Sequence, residues 1–276
     1  MSPIVTPQQL QELRNTGRLI ILDASIEFQI PSAPISDKDN IIPDAIRFDY
    51  DKVFCDPNSS LPHMMPSEER FNSLAQEIGL NQNSIIVVYD NSGTFASPRA
   101  WWMFKAMGHK EVYILDGGLT EWKRLGLEIT TSYRDISSKG DFSGQLNPHY
   151  FADFHVVLSH LNNSDCQIVD ARSKERFEAK VAEPRAGIRS GHIPNSICQP
   201  FMDLIDGHKF KSPSELKQVL SSSLGANKAK YIFSCGSGVT AAIVLAAAHI
   251  SGYQHLSIYD GSWTEWGANY DLPIEN

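Results

Sequence analysis

Leu115-Asp116-Gly117-Gly118-Leu119-Thr120-Glu121-Trp122 returns 144 residues later as Tyr259-Asp260-Gly261-Ser262-Trp263-Thr264-Glu265-Trp266. Self-similarity at this distance says that one structural unit occurs twice. Working outward, Leu22-Asp23-Ala24 pairs with Val169-Asp170-Ala171 at an offset of 147, and Ile42-Pro43 with Ile193-Pro194 at 151. The order is kept while the spacing drifts. The second half has therefore gained about four residues before its Ile-Pro and lost about seven after it, which leaves the first half with an extra loop around Asn58 to Pro66. A length of 276 residues agrees with two domains, at roughly 150 residues each.

Within each half, short β-branched runs alternate with helical stretches. The runs are Leu19 to Leu22, Ser84 to Tyr89 and Val112 to Leu115, then Gln167 to Val169, Tyr231 to Phe233 and Leu256 to Tyr259. Ser67 to Ile78 and Pro213 to Leu220 open with Ser-Glu-Glu and Pro-Ser-Glu, which are helix-start signals. Apolar strands alternating with helices predict an α/β fold: two tandem domains, each a small, mostly parallel sheet flanked by helices. Thr130 to Pro148 is polar and rich in Gly and Ser, and it holds the expected linker. The expected division is a domain at 1–135, a linker at 136–149 and a second domain at 150–276.

Composition excludes several classes. With 42% apolar and 20% charged residues the chain is of the globular type. Its longest apolar stretch, Ala241 to Ala248, falls far short of the ~20 residues that cross a bilayer. A net charge of -8 argues against nucleic acid and anionic membrane surfaces as partners. The N-terminus lacks a basic segment followed by an apolar one, so a cytoplasmic location is expected. Four dispersed cysteines, with no C-x-x-C pair, form neither a disulfide framework nor a metal site.

The sharpest local feature is Tyr231-Ile-Phe-Ser-Cys235-Gly236-Ser237-Gly238-Val239-Thr240, followed by the apolar helix candidate Ala241 to Ile250. A cysteine thus stands at a strand end, where a Gly-rich loop leads into a helix. Glycines let the loop curl so that N-H groups point inward, and the helix N-terminus adds partial positive charge. Such a setting stabilises a sulfur anion and makes a nucleophile of it. A lone cysteine in a tight turn is by default structural, and Cys55, Cys166 and Cys198, which lack this context, are read that way.

With this loop, the Gly191-His192-Ile193-Pro194 turn, Ser97-Pro98-Arg99-Ala100-Trp101-Trp102 and both Asp-Gly-x-x-x-Glu-Trp endings, the chain resembles the tandem-domain rhodanese sulfurtransferases along essentially its whole length. The branch it resembles acts on 3-mercaptopyruvate. The resemblance implies that Cys235 accepts a sulfur atom as a persulfide and passes it to thioredoxin, a small thiol or cyanide, with no metal and no organic cofactor. It implies that the first half, which reads Tyr89-Asp90-Asn91-Ser92-Gly93 at the equivalent strand end, is catalytically silent. Gly236 and Ser237 stand where thiosulfate-using relatives carry Arg and Lys. Gly236, Gly238, Val239 and Thr240 would cradle the substrate sulfur. Ser237 would join His63, in Leu61-Pro62-His63-Met64-Met65-Pro66, and Asp51 in a proton-handling triad, with Asp49 a rival for the Asp place.

The segment Arg172 to Arg189 carries six basic residues against Glu175, Glu178 and Glu183, a local +3 in an acidic chain. In the family the substrate carboxylate is met by arginines at the positions of Arg176 and Arg185, and paired guanidinium forks suit a planar keto acid. Three readings compete with this one. Thiosulfate:cyanide transfer would run on the same fold. A phosphatase would need an Arg six residues after the cysteine, where Ala241 stands. A non-catalytic interaction module would have an unreactive Cys235.

Overall fold

A computed structural model describes residues 2–30, 32–225 and 228–276. In the first half the strands are β1 (Ile4–Val5), β2 (Leu19–Asp23), β3 (Ala45–Arg47), β4 (Ile85–Tyr89) and β5 (Val112–Leu115), joined in one sheet of order β1-β5-β4-β2-β3. Every pairing is parallel. The helices are α1 (Pro7–Arg14), α2 (Glu68–Glu77), α3 (Ser97–Ala106) and α4 (Gly118–Arg124). β4, Ile-Ile-Val-Val-Tyr, is buried at all five positions, as a central strand covered on both faces must be. Thr6 and Gln9 form a capping box that starts α1, and Ser67 caps α2.

The second half repeats the plan. Its strands β6 (Phe151–Ala152), β7 (Cys166–Asp170) and β8 (Ile197–Cys198) are followed by a small hairpin, β9 (Ile205–Asp206) and β10 (Lys209–Phe210), and then by β11 (Lys230–Ser234) and β12 (Leu256–Tyr259). The main sheet has the order β6-β12-β11-β7-β8, again parallel throughout. Its helices are α5 (Phe154–Ser159), α6 (Lys174–Phe177), α7 (Pro213–Ser223), α8 (Val239–Ile250) and α9 (Ser262–Trp266). α8 is buried over nearly its whole length, which explains why its sequence has no polar face.

The repeated Asp-Gly-x-x-x-Glu-Trp motif is structural. Trp122 lies in the core of the first half with Ile21, Val87 and Leu115, and Trp266 in that of the second with Ile168, Ile232 and Tyr259. Each indole N-H is also satisfied, by the carbonyl of Glu128 at 2.7 Å and that of Pro273 at 2.7 Å. Truncating either ring to Ala would cost about 3–5 kcal/mol.

The chain forms two compact units that are not two plain halves. One comprises the chain up to Pro57, Met65–Asn147 and Asp206–Phe210; the other comprises Asn58–Met64, Pro148–Ile205 and Lys211–Asn276. The extra loop that the repeat assigns to the first half, with His63 in it, thus groups with the second unit. The polar stretch expected to hold the linker is laid along the first unit. Gly140, Phe142, Gln145 and Asn147 donate backbone N-H groups to the carbonyls of Gln76, Leu80, Met107 and Ala106, and Phe142 is fully buried. Among the described residues no helix is long and apolar enough to cross a membrane.

Candidate active site

Cys235 is the first residue after β11, the middle strand of its sheet, and it is 2% exposed. Ser234 ends the strand, Cys235 to Gly238 make the loop, and Val239 and Thr240 open α8. Gly238 turns the chain with φ +81°, a left-handed conformation that favours glycine, and this aims its N-H at the sulfur. The Gly238 N-H donates to Cys235 Sγ at 3.1 Å. Below the loop, the Cys235 N-H donates to Ser262 Oγ at 3.2 Å, and Ser262 Oγ donates to the Tyr259 carbonyl at 2.8 Å. The Trp263 N-H holds the Cys235 carbonyl at 3.0 Å, and the Thr264 N-H holds that of Gly236 at 2.9 Å. Ser262 and Thr264 thus use the second copy of the repeated motif to fix the loop. In the sequence this motif marks the repeat and carries part of the family resemblance, and nothing in it shows that Ser262 and Thr264 support the loop.

Of the two arginines expected to meet a carboxylate, Arg176 reaches this loop directly and Arg185 is tied to it through Thr264. Arg176, on α6, brings its Nη2 to 3.4 Å and its Nη1 to 3.9 Å of the place where a Cβ on Gly236 would lie. Arg185 Nη1 donates to Thr264 Oγ1 at 2.5 Å, and that hydroxyl donates to the Gly236 carbonyl at 2.6 Å. The remaining cations of the Arg172 to Arg189 segment are engaged elsewhere. Lys174 and Lys180 pair with Glu178. Arg189 donates to the carbonyls of Trp266, Gly267, Asn269 and Leu272 near the C-terminus. Arg172 is fully buried, paired with Asp170 at 2.7 Å and Glu183 at 2.8 Å, with its guanidinium over the Trp263 ring at 4.4 Å. Burial works against its charge, but the two carboxylates outweigh burial and hold its pKa above the ordinary value. The Gly191-His192 turn braces this group, since Arg172 Nη2 donates to the Gly191 carbonyl at 2.7 Å and the His192 ring stacks on Phe177 at 3.7 Å.

Ser237 is buried in the loop at 8% exposure. His63 is buried too, with φ +61°, in the segment that groups with the Cys235 unit. Asp51 belongs to the other unit, on the turn after β3. Its rival Asp49 is used within that turn: Oδ1 accepts the N-H groups of Asp51 and Lys52, both at 3.0 Å, and Oδ2 faces Arg47 at 3.7 Å.

The other cysteines stand in different surroundings. Burial pushes the thiols of Cys55 and Cys166 up, and burial together with the nearby Asp170 pushes Cys198 up to about 12. At the first unit's equivalent of Cys235 the chain has Asp90. The equivalence is structural: the Leu119 N-H donates to the Asp90 carbonyl at 3.0 Å, as the Trp263 N-H does to that of Cys235. The Asp90 carboxylate is fully buried and accepts from the N-H groups of Phe95, Ala96 and Ser97 at 2.8 to 3.0 Å, from Ser97 Oγ at 2.8 Å, and from the N-H and hydroxyl of Ser92. Burial raises its pKa against the pull of these donors. Gly118 stands where the second unit has Ser262, because a Cβ there would lie 2.2 Å from the Gly93 carbonyl oxygen.

Two parallel α/β sheets of the same strand order, one ending in a cysteine whose sulfur accepts a loop N-H and the other in a buried carboxylate, define a duplicated α/β protein with one diverged strand-end loop. The profile of the rhodanese-like domain matches residues 6–125 and 153–269, and the chain belongs to the rhodanese family. It is similar to the 3-mercaptopyruvate sulfurtransferase of Escherichia coli K12, 39% identical over 234 residues, which cover 85% of this chain and 83% of that protein. It is also similar to the mitochondrial thiosulfate/3-mercaptopyruvate sulfurtransferase 1 of Arabidopsis thaliana, 36% identical over 99% of this chain and 78% of that protein. Among solved structures it matches SseA of Escherichia coli with a TM-score of 0.82 at 33% identity, covering 95% of this chain and 99% of that one.

Proposed function

We propose that the protein is a sulfurtransferase that moves the sulfur of 3-mercaptopyruvate to a thiophilic acceptor through a persulfide on Cys235. The observation that carries this reading is the Gly238 N-H pointing at the Cys235 sulfur from the start of α8, with two arginines at the flank of the same loop. The names of the relatives support the choice of donor.

In the first half-reaction the Cys235 thiolate attacks the substrate sulfur and an S-S bond forms. The C-S bond breaks, and its electron pair leaves as the enolate of pyruvate. The substrate thiol's proton ends on the enolate carbon, carried by Ser237 and His63, with Asp51 assigned by its motif as their third member. Loop N-H groups and the positive end of α8 stabilise the negative outer sulfur without reorganising. Arg176 and Arg185 hold the carboxylate. In the second half-reaction an acceptor thiolate, of thioredoxin or of a small thiol, or cyanide attacks the outer sulfur, and Cys235 leaves as thiolate. The first unit carries no such chemistry, because its loop is filled by the Asp90 carboxylate.

Thiosulfate is a second, slower donor on this reading, and the Arabidopsis relative's name carries both donors. Gly236 and Ser237 add no charge for a dianion. Parallel assays with the two donors and thioredoxin as acceptor test the choice. A higher kcat/KM for thiosulfate would overturn it.

A further inference from the structure

We propose that Glu183 is a positioning residue that aims Arg176 at the catalytic loop and sets the loop's preference for a singly charged donor; the proposal rests on the substrate site described above. Glu183 is a buried carboxylate, its side chain 3% exposed, on the irregular segment between α6 and the Gly191 turn. Its Oε1 accepts from Arg172 Nη1 at 2.8 Å and from Arg176 Nε at 3.2 Å, and its Oε2 accepts from Arg176 Nη2 at 2.5 Å.

The geometry of a guanidinium decides what this does. The Nε and Nη2 side of Arg176 is taken by Glu183, which leaves the Nη1 and Nη2 end as the edge still able to fork a carboxylate. That end is the one nearest Gly236, with both nitrogens within 4 Å of the Cβ position. Arg172, itself fixed by Asp170 and the Gly191 carbonyl, anchors Glu183 from behind. The result is a row, Asp170, Arg172, Glu183 and Arg176, buried except at its half-buried Arg176 end, in which two carboxylates match two guanidiniums. Arg185 rests only on neutral partners in this group, the Thr264 hydroxyl and through it the Gly236 carbonyl. The loop flank therefore offers two forks but about one net positive charge, which matches a monocarboxylate better than a dianion.

The test uses the full chain and protection of Cys235 from iodoacetamide, with pyruvate as the monoanion probe and sulfate as the dianion probe, at constant ionic strength. Glu183→Gln keeps the size and one acceptor oxygen but removes the charge. It should move the ratio of half-protecting concentrations about tenfold toward sulfate, and the kcat/KM ratio toward thiosulfate to a similar degree. Glu183→Asp keeps the charge but withdraws the carboxylate. It should weaken both probes while leaving their ratio near that of the wild type, and it decides the matter alone if the Gln variant does not fold. An unmoved ratio in the Gln variant, or a shifted one in the Asp variant, overturns the proposal. A wild-type chain that shows the predicted probe behaviour without turning over mercaptopyruvate would sink the sulfur-transfer reading and leave the role of Glu183 standing.

Discussion

Arg176 and Arg185 approach one loop from different supports, and removing each should therefore be felt separately. Arg176→Ala and Arg185→Ala should each raise KM for mercaptopyruvate by the equivalent of ~1.5–3 kcal/mol, the worth of a charge-assisted hydrogen bond, with a smaller change in kcat. Steady-state kinetics check this, and an unchanged KM in both variants would remove the clamp from the account. Arg176→Lys should not rescue, because a single ammonium cannot bond Glu183 and present a fork at once. The four cysteines differ in the same local way. With its pKa at about 12, Cys198 is almost wholly protonated at roughly pH 8, and its thiolate grows only as pH rises toward that value. Alkylation at that pH followed by peptide mapping should leave Cys198 unmodified. Its rapid modification there would contradict the raised thiol pKa. The candidate nucleophile was legible from the sequence because glycines and a following apolar helix mark such a loop. The function of Glu183 was not legible: where both signs are interspersed between Arg172 and Arg189, only the fold shows that Arg172 and Arg176 take carboxylates while Arg185 and Arg189 take neutral oxygens.

The strand-end loop is the element on which the two halves diverge. In the second unit it holds a sulfur, and in the first it closes on its own carboxylate, so the two loops should respond differently to change. Asp90→Ala removes an acceptor for several buried N-H groups and should destabilise the protein by about 2–4 kcal/mol. Urea unfolding checks the loss; a change within experimental error would mean that the carboxylate does not hold the loop. The double substitution Gly236→Arg with Ser237→Lys acts on the other copy. A side chain at 236 meets the Arg176 guanidinium at once, and the second change removes the Ser237 hydroxyl, so kcat/KM for mercaptopyruvate should fall at least about tenfold while that for thiosulfate falls less or rises. Proportional loss on both donors would show that the loop does not choose between them. The sequence marked the long central strands because their residues are apolar on both faces. β1, β3, β6 and β8 went unread because two or three residues carry no periodicity. α3 went unread as a helix since Ser97 to Ala106 is buried almost throughout and shows no polar face.

At the scale of the whole chain, duplication explains the architecture and its asymmetry. Both copies keep the sheet order, the buried tryptophan and the hydrogen bond from the motif to the strand-end carbonyl. One copy keeps the thiol. The repeat was readable in the sequence because these shared packing demands preserve the same residues. The redistribution of Asn58–Met64 and Asp206–Phe210 between units was not readable, since loop contacts leave no periodic trace. On the proposed function, sulfur is transferred through Cys235 and nowhere else. Incubating the full chain with 3-mercaptopyruvate, without acceptor, and recording intact mass and peptide masses tests it most directly. The expected result is a gain of about 32 Da, one sulfur atom, confined to the Cys235 peptide, lost on adding thioredoxin and absent from Cys235→Ser. Sulfur found on Cys55, Cys166 or Cys198, or turnover retained by Cys235→Ser, would contradict it.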